Sequence, residues 1–142
     1  CMTMGSVVIP SSLTFIGEAA FLNCLSLPVE NNMRYVGDRY LIGVADKTLS
    51  SYSIKDGIKI IGALVFQQCD NLESFTIPAS VEKIESRAFE RCANLKSVTI
   101  SASVDTIGRR AFQYCSNLEI VICESDTPQS QPSQQHYKVW TA

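Results

Sequence analysis

The segment IPASVEKIESRAFERCANL, residues 77–95, is followed at residues 100–118 by ISASVDTIGRRAFQYCSNL, and the two agree at nearly every apolar position. Three phenylalanines stand 23 residues apart, and three cysteines keep the same interval three places later: Phe66, Phe89, Phe112, Cys69, Cys92 and Cys115. A fixed period of this size is typical of a unit that stacks on copies of itself and buries its apolar side against them. The chain is therefore a repeat protein, and its function must be sought on a surface.

Two further copies precede this pair. IKDGIKIIGALVFQQCDNL, residues 54–72, matches both at the isoleucines, the phenylalanine, the cysteine, the asparagine and the leucine. IPSSLTFIGEAAFLNCLSL, residues 9–27, lies 45 residues upstream of that copy, or roughly two turns of the repeat, and the pattern degenerates between them. Four clear coils and one degenerate turn exceed the minimum of about three repeats that such folds need.

A short link of the form L-x-x-Φ-x-Φ, where Φ is apolar, follows each of the last three copies. In the link at residues 72–77, alternation turns Phe75 and Ile77 inward and leaves Thr76 outward, as in a half-buried strand. Thr99 and Ile122 take the equivalent outward place. Stacked about 4.8 Å apart, these links predict a parallel sheet along one side of a solenoid.

The opposite side is predicted to carry short helical turns. A small apolar residue, a phenylalanine and a cysteine three places later form a one-sided pattern at helical spacing, which is stable when the phenylalanine enters the core. The glycines that follow isoleucine, Gly17, Gly62 and Gly108, are expected to supply the backbone freedom for the bend into each turn, with Glu85 in their place in one copy.

An asparagine precedes the leucine that ends each of the last three copies: Asn71, Asn94 and Asn117. An asparagine there can close the turn in a left-handed conformation or hydrogen-bond the backbone of the next coil. Both roles provide hydrogen-bond partners for backbone polar groups that a turn leaves unpaired, so we expect a short asparagine ladder.

The unit I-P-x-S-V-x-x-I-x-x-x-A-F-x-x-C-x-N-L with its 23-residue period resembles the BspA-type leucine-rich repeats over about residues 8–123. The resemblance implies an α/β solenoid, a right-handed superhelix with a parallel β-sheet on one face and short helical turns on the other. It also implies a surface or secreted protein of host-associated bacteria or protists that adheres to host proteins or other microbes. The family brings no catalytic residues, so none are assigned.

Two regions depart from the family pattern. Between residues 28 and 53 the repeat is replaced by an insert in which residues 40–44 and 49–52 flank Asp46 and Lys47, which predicts a β-hairpin or an irregular turn. After Cys123 the period stops. We therefore expect a repeat domain at residues 1–123 and a polar tail or cap at residues 124–142, where Val139 and Trp140 are available to cover the last coil.

The column cysteines are predicted to be free, buried thiols. Cysteines on adjacent coils would lie within disulfide range, but residues stacked in register point the same way, and cysteine suits a packed core. Zinc is disfavoured because the column lacks C-x-x-C pairing and a nearby histidine. Cys1 can be read as the lipid-modified first residue of a bacterial lipoprotein or as the arbitrary boundary of a cloned segment, and no signal peptide is visible.

The sequence predicts no enzyme, metal site or cofactor. His136, the only histidine, lies in the polar tail and is expected to be solvated. It is far in sequence from every column cysteine, so no Cys–His dyad is expected, and without a second histidine no two-histidine metal site is expected. Four acidic residues of the repeats are expected to be surface charges rather than an acid–base pair: Glu82, Glu85, Glu90 and Asp105. A net charge of −2 and the absence of a long apolar run argue against nucleic acid, an anionic membrane and a transmembrane segment.

One charge column alternates along the repeats, with acid, base and acid at Glu73, Lys96 and Glu119. One interpretation is intramolecular pairing worth about 0.2 to 1 kcal/mol, and the other is a ligand surface on the sheet. The candidate partner-binding face comprises Glu73, Ser74, Thr76, Lys96, Ser97, Thr99, Glu119, Ile120 and Ile122. Arg87, Arg91, Arg109 and Arg110 form a smaller basic cluster on the other side, which is expected to be a solvated face.

The solenoid architecture predicts a noncatalytic interaction module that binds through its sheet face, and the family resemblance implies a surface or secreted protein whose partner is a host or microbial protein, such as an extracellular-matrix protein, or a glycan. The rival hypothesis is a structural spacer or cap of a longer repeat protein without a ligand site of its own. Self-association through the end coils is a further expectation, because a solenoid cut between repeats exposes an unpaired edge.

Overall fold

The structure is a computed structural model that describes residues 5–12, 16, 20, 21 and 24–123, with the backbone alone for 120–123. Val139, Trp140, His136 and the whole predicted tail lie outside these residues. Nine strands occur in the part described: β1 (Val29–Glu30), β2 (Met33–Val36), β3 (Tyr40–Val44), β4 (Ile60–Ile61), β5 (Ser74–Thr76), β6 (Lys83–Ile84), β7 (Ser97–Ile100), β8 (Thr106–Ile107) and β9 (Ile120–Cys123).

The predicted parallel sheet is confirmed. Strands β5, β7 and β9 pair in parallel, and residues one repeat apart are partners, as Phe75 is of Val98. The side chains of Phe75 and Val98 are buried, whereas Thr76 is exposed. The alternation of apolar and polar residues therefore sets which side faces the core.

A second sheet, in the order β1-β2-β3-β4-β6-β8, runs along another side of the coils. Its strands β3, β4, β6 and β8 are parallel, and the buried side chains of Ile61 and Ile84 lie in register on adjacent coils. The link pattern predicted a single sheet, because the two-residue strands β4, β6 and β8 are too short to show alternation.

The insert forms a hairpin, but with a different partner from the one predicted. Residues 40–44 are strand β3, as expected, and they pair antiparallel with β2 across the turn that contains Gly37. Residues 49–52 are not a strand. Because β3 also pairs in parallel with β4, the hairpin is continuous with the second sheet.

The short helical turns expected on the opposite side are not found at residues 63–69, 86–92 or 109–115, which the structure builds from turns. Two positions in each coil have left-handed backbone, with φ between 56° and 62°: Leu64, Gln68, Arg87, Arg91, Arg110 and Tyr114. A left-handed residue interrupts helical geometry at a cost of about 1 to 2 kcal/mol. In exchange, amide groups that a helix would use internally reach the next coil, as the Phe66 N–H reaches the Ala88 carbonyl at 2.7 Å.

The phenylalanines form one interior file. Phe66 stacks on Phe89 with ring centroids 4.8 Å apart, and Phe89 stacks on Phe112 at 5.1 Å. Phe66 and Phe89 are fully buried, and Phe112 is half-buried in the last coil. The edge of Tyr52, from the insert, packs against Phe66 at 5.4 Å and closes the other end of the file.

The described cysteines Cys24, Cys69, Cys92 and Cys115 are free and buried, as predicted. The thiols of Cys92 and Cys115 each donate a hydrogen bond of 3.0 Å to a phenylalanine carbonyl of the preceding coil. At Cys69 the preceding coil is the irregular insert, and Tyr52 provides the side-chain partner. The thiol column therefore contributes hydrogen bonds between coils as well as packing.

The asparagine ladder is confirmed in its hydrogen-bonding role, although it reaches the preceding coil. The Asn71 side-chain amide donates to the Thr48 carbonyl at 2.7 Å, and that of Asn94 donates to the Asp70 carbonyl at 2.8 Å. The Asn117 amide donates to Asn94 Oδ1 at 3.4 Å. None of the three asparagines has a positive φ, so the left-handed alternative does not apply.

The repeat glycines Gly62 and Gly108 serve close approach rather than backbone freedom, and Gly17 lies outside the described residues. Neither Gly62 nor Gly108 has a positive φ. A Cβ on Gly62 would lie 2.8 Å from the Leu41 carbonyl oxygen, and one on Gly108 would lie 2.6 Å from the Glu85 carbonyl carbon. Glycine is therefore required at these positions because the backbone of the neighbouring coil touches it.

The first copy does not extend the phenylalanine file. Phe21 and Cys24 pack in a separate cluster with Tyr40 and Ile60. These last two residues are register partners on β3 and β4 and alternate with Leu41 and Ile61, which belong to the main core. The separate cluster therefore lies on the other face of the second sheet.

Candidate binding surface

The candidate surface, here called the strand face, is the outer side of the sheet formed by β5, β7 and β9, with the residue that precedes each strand. The structure places its predicted residues at equivalent positions of three adjacent coils. Ser74, Ser97 and Ile120 are register partners, and so are Thr76, Thr99 and Ile122. The side chains of Ile120 and Ile122 lie outside the described residues.

The backbone also aligns the charge column at the edge of this face. The Lys96 N–H donates to the Glu73 carbonyl at 2.8 Å, and the Glu119 N–H donates to the Lys96 carbonyl at 3.0 Å. The Lys96 ammonium contacts the Glu73 carboxylate at 3.0 Å, which confirms intramolecular pairing for these two residues. Among the described residues Lys96 forms no ion pair with Glu119.

The hydroxyl groups of the strand face differ in exposure. Ser74 and Thr76 are exposed, whereas Ser97 and Thr99 are half-buried on the central strand. Directly beneath them lie Phe75 and Val98 of the main core. The part of the strand face on β5 and β7 is therefore polar and uncharged, with a charged edge, and it packs directly on the main core.

A second charge column lies at the start of the other sheet. The Lys59 ammonium contacts the Glu82 carboxylate at 2.7 Å, and Asp105 occupies the next position of the column. Sequence reasoning did not single out this ladder, although its 23-residue spacing is the same as that of Glu73, Lys96 and Glu119.

Two of the expected surface charges are buried instead. Glu85 and Glu90 are each 8% exposed. Glu85 accepts a hydrogen bond of 3.1 Å from the Ala63 N–H and pairs with Lys83 at 3.4 Å, and Glu90 accepts one of 2.8 Å from the Gln67 side chain. Each carboxylate thus bonds a group of the preceding coil, which explains how it is tolerated in the interior.

Neither acid–base chemistry nor metal binding is supported by a cluster in the described part of the chain. No group of three or more histidine, cysteine, aspartate or glutamate residues there could hold a metal ion. Burial raises the pKa of the Cys69 thiol, which disfavours the thiolate that a nucleophile or metal ligand needs. In the same residues no helix is long and apolar enough to cross a membrane.

The parallel pairing of strands from successive coils in both sheets, the left-handed turns and the column of stacked phenylalanines define a leucine-rich-repeat-like solenoid. The family model described as BspA type leucine rich repeat region matches residues 1–119 in six copies. The chain belongs to this family.

Two solved structures are similar to the chain. A leucine-rich repeat protein from Bacteroides ovatus ATCC 8483 shares 26% identity at a TM-score of 0.56, over 68% of this chain and 29% of that one. A leucine rich cell surface protein from Faecalibacterium prausnitzii A2-165 shares 25% identity at a TM-score of 0.37, over 87% of this chain and 40% of that one. The chain thus spans less than half the length of either. No curated protein matches the sequence significantly.

Proposed function

We propose that the chain is a noncatalytic interaction module of a cell-surface or secreted protein and that it binds a protein partner through the strand face. The observation that carries the proposal is the in-register alignment of outward hydroxyl groups, with exposed Ser74 beside half-buried Ser97 and exposed Thr76 beside half-buried Thr99. Membership of the BspA-type repeat family supports an interaction role on a surface protein.

The strand face suits a folded or extended protein partner because its groups are preorganised. Its backbone is paired on the central strand to both neighbours, and its inner side packs on the main core. A partner that binds such a surface orders few side chains, which lowers the entropic penalty of association. Hydroxyl groups both donate and accept, so they can satisfy backbone groups of the partner.

The charged edge of the strand face can orient a bound partner. Glu73 and Lys96 are paired, yet more than half of each side chain is exposed. An exposed pair of this kind contributes about 0 to 1 kcal/mol to stability, so it can be rearranged toward a partner with little loss. Charges at the rim of an interface steer encounter and fix the docking register.

The test is binding to immobilised extracellular-matrix and host-cell-surface proteins, measured by biolayer interferometry. Thr99→Arg should weaken binding by about tenfold or more, as changes at an interface centre do, and Lys96→Glu should slow association because it reverses a charge at the rim. Lys59→Glu, a charge reversal at the other sheet, is the matched control and should bind like the wild type. Equal binding by all three variants would contradict the strand-face assignment.

A second candidate, a spacer within a longer array, is favoured by apolar surface that is exposed on the coil of residues 100–118. Ile107 is 44% exposed, although its register partner Ile84 is fully buried. The chain also spans only 29% of the Bacteroides ovatus protein. If the isolated chain binds none of the proteins tested while the longer parent protein binds, the spacer role is supported and the strand-face module is not.

A further inference from the structure

Four arginines are gathered where the turns of two adjacent coils meet. The Arg87 N–H donates to the Arg109 carbonyl at 3.1 Å, which places these residues side by side on neighbouring coils. Arg110 follows Arg109, and the Arg91 N–H reaches the Gln113 carbonyl at 2.8 Å in the same pair of coils. All four side chains are exposed.

These arginines differ from four lysines of the repeats in having no ion-pair partner among the described residues. Lys55, Lys59, Lys83 and Lys96 each contact a carboxylate at between 2.7 and 3.6 Å. Within the described residues, none of the four guanidinium groups has a carboxylate within 4.0 Å. The positive charge on this side is therefore not neutralised by a direct ion pair.

The acidic residues nearest to Arg87 and Arg91 along the chain have other partners. Glu85 bonds the Ala63 N–H and Lys83, and Glu90 bonds the Gln67 side chain. Both carboxylates are buried toward the preceding coil, whereas Arg109 and Arg110 lie on the following coil. These two carboxylates therefore do not block the guanidinium groups, which can bind an external anion.

An aromatic side chain completes the group. Tyr114 is 56% exposed, and the guanidinium carbon of Arg91 lies 5.6 Å from its ring centroid. Arg91 thus covers one part of the ring and leaves other apolar surface free. An exposed aromatic ring packs well on the carbon-rich face of a sugar and also carries a hydroxyl group for hydrogen bonding.

We propose that this group, the arginine patch of Arg87, Arg91, Arg109, Arg110 and Tyr114, binds a sulfated polysaccharide. Guanidinium groups present planar forks of donors that match sulfate and carboxylate oxygens in pairs. Adjacent coils repeat the forks at about 4.8 Å, so a linear polyanion can engage several of them at once. The patch is separate from the strand face and does not depend on its partner.

A polysaccharide fits this surface better than a nucleic acid or a membrane. The chain carries a net charge of −2 and so lacks the extended basic field that a DNA duplex or an anionic lipid surface requires, whereas a short segment of a single polysaccharide chain needs only the charges of the patch. The described part of the chain also holds no basic amphipathic helix that could insert into lipid. The half-exposed tyrosine beside the charges favours a ligand with sugar rings.

The experiment measures binding of heparin to the full chain by isothermal titration calorimetry at low and at physiological ionic strength. The double variant Arg87→Gln with Arg109→Gln removes two charges from the patch. Glutamine suits position 87 because Gln68 already has a left-handed backbone on this side of the fold. The double variant Lys55→Gln with Lys59→Gln is the matched control, because it makes the same change in net charge outside both proposed binding surfaces.

We expect the wild type to bind heparin, with affinity falling as salt rises. The arginine variant should bind about tenfold or more weakly, because it loses two charge-assisted contacts, and the lysine control should bind like the wild type. If the double variant does not fold, as judged by circular dichroism, Arg110→Gln provides the same comparison with one charge removed.

Three outcomes would overturn the proposal. The first is no heparin binding at low ionic strength, and the second is an equal loss of affinity in the arginine variant and the lysine control. The third is tighter binding of duplex DNA or of phosphatidylserine vesicles than of heparin, which would assign the patch to a different class of partner.

Discussion

The ring of Phe66 lies nearly parallel to that of Phe89, with the planes inclined by 12° and the centroids 4.8 Å apart. This separation matches the spacing of paired strands in the flanking sheets and falls within the range of favourable aromatic pairs. One phenylalanine per coil in the same orientation therefore yields a continuous file. The file is the centre of the main core, because Phe75 also packs on both rings, at 4.9 and 5.2 Å.

Phe89→Ala should destabilise the protein by about 3 to 5 kcal/mol, because it leaves a cavity in the middle of the file. Phe112→Ala removes the same atoms from the half-buried end and should cost clearly less. Chemical denaturation of the two variants gives the comparison. Unchanged unfolding of the Phe89→Ala protein would contradict an interior file.

Gly108→Ala should destabilise by about 1 to 3 kcal/mol, as overpacking does. The added Cβ would collide with the backbone of Glu85 and Ser86 on the preceding coil, and backbone cannot rotate aside. Gly43→Ala is the control, because a Cβ there meets nothing within 4 Å and Gly43 has no positive φ. Equal melting temperatures for the two variants would show that the coils separate easily at Gly108.

Glu85→Gly restores the residue that the repeat has at positions 62 and 108, yet it should destabilise by about 1 to 3 kcal/mol. The reason is that the Ala63 N–H would lose its carboxylate acceptor in a buried place. Glu82→Ala, which removes an exposed partner of Lys59, should cost no more than about 1 kcal/mol. A more stable Glu85→Gly protein would mean that the glycine of the other coils is preferred here too.

Stability should fall as the pH rises above about 9, near the ordinary pKa of a free thiol. Burial raises the pKa of Cys69 above its ordinary value of 9.0, and burial followed by the hydrogen bond with Cys69 raises that of Tyr52. Above pH 9 the unfolded chain loses these protons while the folded chain keeps them. The unfolded state then binds fewer protons, so the free energy of unfolding decreases.

Thermal unfolding at increasing pH measures this effect, and Cys69→Ala combined with Tyr52→Phe should flatten the dependence. Ellman's reagent at pH 8 provides a second readout, since the described thiols are buried and should react slowly until denaturant is added. Fast reaction of Cys69, Cys92 and Cys115 in the native protein would place the column at the surface.

The geometry of the strand face was predictable from the sequence, whereas its function was not. The link pattern predicted that Thr76 and Thr99 point outward on paired strands and that Lys96 lies beside Glu73, and the structure contains both arrangements. That the face binds a partner stays a prediction. The sequence predicted that the four arginines form a basic cluster. Only the structure showed that none of them forms an ion pair within the described residues.

The 23-residue interval by itself determined the stacking of coils, the link strands, the phenylalanine file and the buried thiols. Each of these features depends on one residue type that recurs at the same position of successive coils, so the period can be read directly from the sequence. Inward and outward positions followed as well, because the alternation of a strand is local.

Only the tertiary structure decided the left-handed turns, the pairing of β2 with β3, the second sheet and the burial of Glu85 and Glu90. Each depends on a hydrogen bond or contact with a neighbouring coil, such as the bond from the Phe66 N–H to the Ala88 carbonyl. In a segment with helical spacing, backbone hydrogen bonds to the next coil replace the hydrogen bonds that a helix would form within the segment. That exchange depends on how the coils meet, and local residue preferences do not encode it.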